Sequence, residues 1–211
     1  MAAVATPVLG SNDIPTYHQI PETKYELEWA DLVTLDLSQF DKPGGFFYIT
    51  NFGLSQEAVD RQFAIGKEVF NLPMEEKLQF RAELEKGGYN GYKPLGLREV
   101  APGIFDNTEI YNIPKFIPAY ERPQPEIINQ HRDEIEQFAR YIHNNIAGKL
   151  LVLCAIVLEL PEDYFLNCHR YEEKSDCHLR YTRTSVVNDW GCYIVVARTL
   201  RVFFRSADQI C

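Results

Sequence analysis

The sequence predicts an α+β fold, and three stretches predict it. Leu35 to Gly53, LDLSQFDKPGGFFYITNFG, holds two β-forming runs around a Pro43-Gly44-Gly45 turn. Ser55 to Phe70 reads as a capped amphipathic helix. Glu126 to Leu160 carries a helical apolar period over a much greater length.

Composition bounds what such a fold does. At 211 residues, with 45% hydrophobic and 13% aromatic content, the chain suffices for one domain with a sizeable core. The net charge of −9 argues against nucleic-acid or membrane partners, because both polyanions select a basic face. Met1 to Gly10 has neither a basic start nor a sustained apolar segment, so no secretory signal is expected. With five cysteines, an odd number, reduced thiols in a cytoplasmic protein are the simple expectation. The apolar run Leu150 to Leu158 is too short for a membrane span of roughly 20 residues and belongs in a core.

Residues 1–30, punctuated by Pro7, Pro15 and Pro21, form an extended arm expected to lie on the domain. Val33, Leu35 and Leu37 alternate with polar residues, as in a half-buried strand. Phe46 to Thr50 is apolar on both parities and suits a strand covered on both faces. Asn51-Phe52-Gly53 is the next turn. Ser55 caps a helix whose Val59, Phe63, Gly66 and Phe70 share one face. Asn71-Leu72-Pro73 ends it, and Met74 to Phe80 starts a short helix with Glu75, Glu76 and Lys77 facing water.

Gly87 to Gly96, GGYNGYKPLG, is a glycine- and tyrosine-rich loop. It lacks the flanking strand, helix and Lys-Ser/Thr ending of a phosphate cradle. Asp106 to Pro118, DNTEIYNIPKFIP, is a short strand closed by Pro114 and Pro118. In the long helix, Ile128, Ile135, Phe138, Ile142, Ile146, Leu150, Leu153 and Val157 recur at helical steps, and Gly148 weakens its middle. A short helix follows near Pro161 to Leu166, then Cys168-His169-Arg170-Tyr171 and Cys177-His178-Leu179-Arg180-Tyr181.

The order of an acidic residue, a strand, GGFFYITN-x-G, a capped helix and N-L-P-x-E-x-K resembles the N-terminal region of the iron(II)/2-oxoglutarate-dependent dioxygenases. The isopenicillin-N-synthase-like branch of fungal secondary metabolism is the nearest likeness, although Phe52 stands where that family usually has His. The resemblance covers residues 31–181 and implies the helical and strand portion that precedes a jelly-roll (double-stranded β-helix) core. It makes the Gly87 to Gly96 loop a wall over a substrate mouth. Tyr89 and Tyr92 then become candidate substrate contacts, against the plainer reading of two surface tyrosines packing a loop. Glu109, Tyr111 and Asn112 are further candidates, with a structural role equally open.

The resemblance also implies an iron site, a His-x-Asp pair with a distal His, and an Arg for the 2-oxoglutarate carboxylate. Val186 to Tyr193 reads VVNDWGCY where the family has its His-x-Asp, and no His follows His178. The only His-x-Asp string, His131-Arg132-Asp133, lies in a helix, where i and i+2 point about 200° apart. Both are expected on the helix surface. The Cys168-His169 and Cys177-His178 dipeptides fit neither a usual zinc spacing nor a framed thiol nucleophile.

Residues 182–211 match nothing in the family, although Tyr193 to Val196 and Leu200 to Phe204 have strand composition. Two strands cannot replace a jelly roll of about eight. The expectation is therefore a shortened family member with an incomplete β-core. It has no catalytic residues or metal ligands of its own and no cofactor when alone, against iron(II) and 2-oxoglutarate for the full-length family. An uncovered apolar stripe on the long helix would lead it to self-associate. Two alternatives stand beside this: an oxygenase completed by another chain, and a non-catalytic module binding a small molecule or partner.

Overall fold

Ser55 opens the first helix in the way its chemistry favours. Its Oγ accepts from the Ala58 N–H at 3.2 Å, and helix α1 runs Gln56–Asn71. The computed structural model describes residues 14–17, 33–36, 47–186, 189–196 and 202–204. The Pro43-Gly44-Gly45 turn, Phe46, Leu200 and most of the N-terminal arm lie outside the described residues. Within the arm, Ile14 is buried in the core and Tyr17 stacks on Phe63 of α1, with centroids 5.1 Å apart.

Strands β1 (Val33–Asp36) and β2 (Phe47–Thr50) pair in parallel. After α1, helix α2 spans Met74–Gln79. Lys77 in α2 does not face water as its neighbours do. It is buried, because a carboxylate and a carbonyl are waiting inside.

The main sheet is antiparallel throughout, in the order β3-β6-β7-β8-β9. Its strands are β3 (Gly91–Lys93), β6 (Thr108–Pro114), β7 (His178–Val186), β8 (Asp189–Val196) and β9 (Val202–Phe204). The last two fall where the composition favours strands, with β8 beginning four residues earlier, at Asp189 rather than Tyr193. A separate ribbon, β4 (Glu99–Ala101) with β5 (Ile104–Phe105), exposes Val100, Ile104 and Phe105.

The stretch expected to be one helix over Glu126 to Leu160 is interrupted. Helix α3 (Glu126–Gln130) turns at His131 into α4 (Arg132–Tyr141), a π-helical turn spans Ile142–Ala147, and α5 runs Gly148–Val157. The π turn has a local cause. The Asn145 side-chain amide donates to the Tyr141 carbonyl at 3.2 Å, taking the acceptor that an α-helical Asn145 N–H would use. Ile128, Ile135, Phe138, Ile142, Ile146, Leu150 and Leu153 are buried as their period predicts, but Val157 is exposed. Helix α6 (Tyr164–Asn167) follows.

It is α1 whose backbone lies closest to the sheet, against β7 and β8. Gly66 permits this approach: a Cβ there would stand 3.0 Å from Tyr181 Cγ. Tyr181 is fully buried and donates from its hydroxyl to Gln62 Oε1 at 2.8 Å. Among the described residues no helix is long and apolar enough to cross a membrane. Gly66→Val is expected to destabilise the fold by roughly 1–3 kcal/mol through overpacking, read as a lower urea midpoint. A midpoint equal to that of the unaltered chain would show that α1 does not press on Tyr181.

Candidate functional site

Alternation along β6 divides the residues that the sequence grouped together. Glu109 and Tyr111 point toward the helices, and Asn112 points to the opposite face of the sheet. On the helix side, Glu109 is buried and accepts from three side chains. Lys77 Nζ donates to Oε2 at 3.1 Å, the Tyr92 hydroxyl to Oε2 at 2.7 Å, and Arg183 Nε to Oε1 at 2.5 Å. Lys77 also donates to the Phe70 carbonyl near the end of α1, at 2.9 Å. Tyr92 is therefore not a surface tyrosine. It has no exposed area, and burial, together with the Glu109 carboxylate, pushes its hydroxyl pKa upward. Tyr111 is equally buried, its hydroxyl donates to Gln124 Oε1 at 2.5 Å, and burial raises its pKa too.

The opposite face carries a different set. Asn112 Nδ2 donates to the carbonyl of Tyr89 at 2.5 Å, and Arg180 Nε donates to Asn112 Oδ1 at 2.8 Å. Arg180 also donates to His178 Nε2 at 3.0 Å. Thr182, next on this face of β7, buries a hydroxyl oxygen that has no hydrogen-bond partner among the described residues. Tyr89 is exposed at the margin, as a loop tyrosine should be. Of the five candidates, only Asn112 and Tyr89 thus stand on this side of the sheet. Arg180 and Thr182 were not singled out from the sequence, although His178, Arg180 and Thr182 fall on one strand parity.

Two of the histidines are held by polar neighbours. His178 donates from Nδ1 to the Asp176 carbonyl at 2.9 Å and receives Arg180 on Nε2, so neither nitrogen offers a lone pair to a metal. His131 is buried rather than on the helix surface. Its Nδ1 stands 3.6 Å from Glu134 Oε2, and Glu134 also takes Arg61 Nε at 3.1 Å, while Asp133 is exposed. Among the described residues no three His, Cys, Asp or Glu gather as a metal site.

The Cys-His dipeptides meet across their turn. Cys177 Sγ lies 3.3 Å from His169 Nε2, while Cys168 is exposed. Reading each dipeptide as isolated extended chain missed this pairing. His143 of the π turn stacks on His169 with ring centroids 4.9 Å apart.

Two outcomes test this arrangement. Glu109→Ala strands the Lys77 and Arg183 charges, so about 3–5 kcal/mol of stability should be lost in urea unfolding. Burial, with Lys115 nearby, lowers the pKa of both His143 and His169 from the ordinary 6.5. A histidine with a depressed folded pKa takes up its proton more readily when unfolded, so stability is full above about pH 6.5 and declines below it. The melting temperature should drop between about pH 6.5 and 5, and less so in His143→Phe.

Comparison with known proteins bears on the same residues. Residues 34–138 match the family of the non-haem dioxygenase in morphine synthesis N-terminal. The UPF0676 protein C1494.01 of Schizosaccharomyces pombe is 29% identical over 163 residues, 72% of this chain and 48% of that protein. The 1-aminocyclopropane-1-carboxylate oxidase of Dictyostelium mucoroides is 25% identical over 160 residues, 66% of this chain and 41% of that enzyme. The chain thus spans less than half the length of these relatives. Among solved structures, a full-length Neurospora crassa protein in complex with alpha-KG and thymine superposes with a TM-score of 0.54 at 17% identity. That likeness covers 72% of this chain and 55% of the Neurospora chain, and it extends to the fold alone. With a dioxygenase N-terminal match over residues 34–138 and relatives of the same kind, this region of the chain belongs to the iron(II)/2-oxoglutarate-dependent dioxygenase superfamily.

Proposed function

We propose that this chain provides the N-terminal portion of a 2-oxoglutarate-dependent dioxygenase that tailors a small molecule of secondary metabolism, and that alone it does not catalyse. The observation carrying this reading is that both ring nitrogens of His178 are committed, Nδ1 as a donor and Nε2 as an acceptor, and that among the described residues no further ligands gather with it as a metal face. No histidine follows His178 in these 211 residues. Iron and 2-oxoglutarate belong to the complete family architecture.

The small molecule faces the Asn112 side of the sheet. Support comes from the buried Thr182 hydroxyl beside the Asn112–Arg180 pair, which has no partner among the described residues, since a buried polar group without a partner is costly unless a ligand meets it. Tyr92, Glu109 and Tyr111 hold the sheet from behind and do not touch substrate. A second reading, in which the chain works within an assembly, is favoured by Val157 and Leu158 at the end of α5 and Tyr164 on α6. All three are exposed apolar side chains.

Iron(II) binding by the purified chain, with succinate release from 2-oxoglutarate followed in parallel, tests the main reading. No stoichiometric iron and no succinate are expected. Bound iron with turnover would overturn it. Sedimentation tests the second reading, which expects a species heavier than 24.4 kDa.

A further inference from the structure

Residues 170–175, between α6 and β7, form a strap that side chains hold in place. Inside it the Glu173 N–H donates to the Arg170 carbonyl, and among the described residues no backbone hydrogen bond joins it to another element. Its ties come from side chains elsewhere. Lys115 Nζ donates to the Arg170 carbonyl at 3.4 Å and to the Glu173 carbonyl. The Tyr120 hydroxyl donates to the Ser175 carbonyl at 2.8 Å, and Arg140 to Glu172 at 2.6 Å. Arg170, Glu172, Glu173 and Lys174 are exposed. A mostly exposed segment with few ties belongs to the part of a fold that opens first.

Tyr171 is the buried residue of the strap, and it is seated among bases. Its hydroxyl accepts from the Phe116 N–H at 3.2 Å. Arg140 lies 4.2 Å and Lys115 5.7 Å from the ring centre, and His143 of the π turn meets it edge-on at 5.1 Å. His169, just before the strap, stacks on His143 at 4.9 Å. The polar partners of Lys115, His143 and His169 are carbonyls, the Asn144 amide oxygen and the Cys177 sulfur, not carboxylates. Glu172 and Glu173 act on Lys115 only through space, and Glu172 is held by Arg140.

The cluster thus carries the charges of Lys115 and Arg140 at neutral pH and gains two more in acid. Burial lowers the pKa of both histidines, and Lys115 adds to this on each, Arg140 on His143. Each imidazole takes up its proton more readily once solvated, so acid favours any state that uncovers it. We propose that the 170–175 strap is an acid-released latch: protonation of His143 and His169 beside Lys115 and Arg140 lifts Tyr171 from its seat and frees the strap, while the rest of the fold stays intact. Release reaches the main sheet, because Asp176, directly after the strap, supplies the carbonyl that His178 Nδ1 meets at the start of β7.

The test is cleavage of the whole chain after Glu172 and Glu173 by a glutamyl endopeptidase, well below the melting temperature. At each pH the rate is divided by that of the free 168–177 peptide, which removes the protease's own pH dependence. The ratio should rise at least about tenfold between about pH 7.5 and 5, since an opening that takes up one proton grows tenfold per pH unit. Cleavage after Glu57 and Glu68 of α1 should stay negligible throughout. The midpoint should coincide with the titration of His143 and His169, read from their imidazole resonances in the unaltered chain. The double variant His143→Phe, His169→Phe should show a flat ratio. A pH-independent ratio in the unaltered chain would overturn the proposal. So would α1 cut in parallel with the strap, a midpoint apart from both histidines, or a rise that survives in the double variant.

Discussion

One buried carboxylate, Glu109, ties together parts of the fold that share little else. Through it α2 reaches β6 by Lys77, β3 reaches β6 by Tyr92, and β7 adds Arg183. Two cations around one anion leave surplus positive charge, and the Phe70 carbonyl near the C-terminal end of α1 takes part of it. Desolvating three charges is costly, so such a cluster is stable only when nearly every donor is answered, and once assembled it tolerates few alternative packings. Strand register is part of the same condition. A one-residue slip of β6 on β7 would turn Glu109 away from Arg183 and bring Asn112 into the core.

The helices are fixed to that cluster through close approach rather than charge. Gly66 lets α1 sit on Tyr181, and the Tyr181 hydroxyl returns a hydrogen bond to Gln62 on the same helix. Arg61, also on α1, reaches Glu134 of α4, so a single helix bridges the sheet and the interrupted helical stretch behind it. The fold is thereby arranged in the order sheet, α1, then α3 and α4, with the Asn112 face of the sheet turned away from all three.

Much of this is legible in the sequence, and the rest fails for identifiable reasons. The Ser55 cap, the buried face of α1, the strand at Asp106 to Pro118 and the late strands follow from local chemistry and period. Lys77 misleads because a helical lysine next to two glutamates looks solvated. Only the distant Glu109 draws it inward. The break at His131 and the π turn are invisible because an apolar period survives a one-residue dislocation. Glu109, Tyr111 and Asn112 group by proximity in sequence, whereas the pleat assigns them to two faces. The superfamily is readable because its N-terminal motif lies in contiguous segments. The Cys177–His169 contact is not, because it depends on how a turn folds back.

The two margins of the main sheet are not equivalent. Along its outer edge β3 is bonded to the Phe80–Ala82 backbone, through Tyr92 N–H to Phe80 and Ala82 N–H to Tyr92. That edge is closed to further pairing. At the other margin β9 is the terminal strand among the described residues. Among the described residues, growth of this sheet is therefore one-sided: a strand added from a neighbouring chain joins beside β9 and extends the Asn112 face in a single direction.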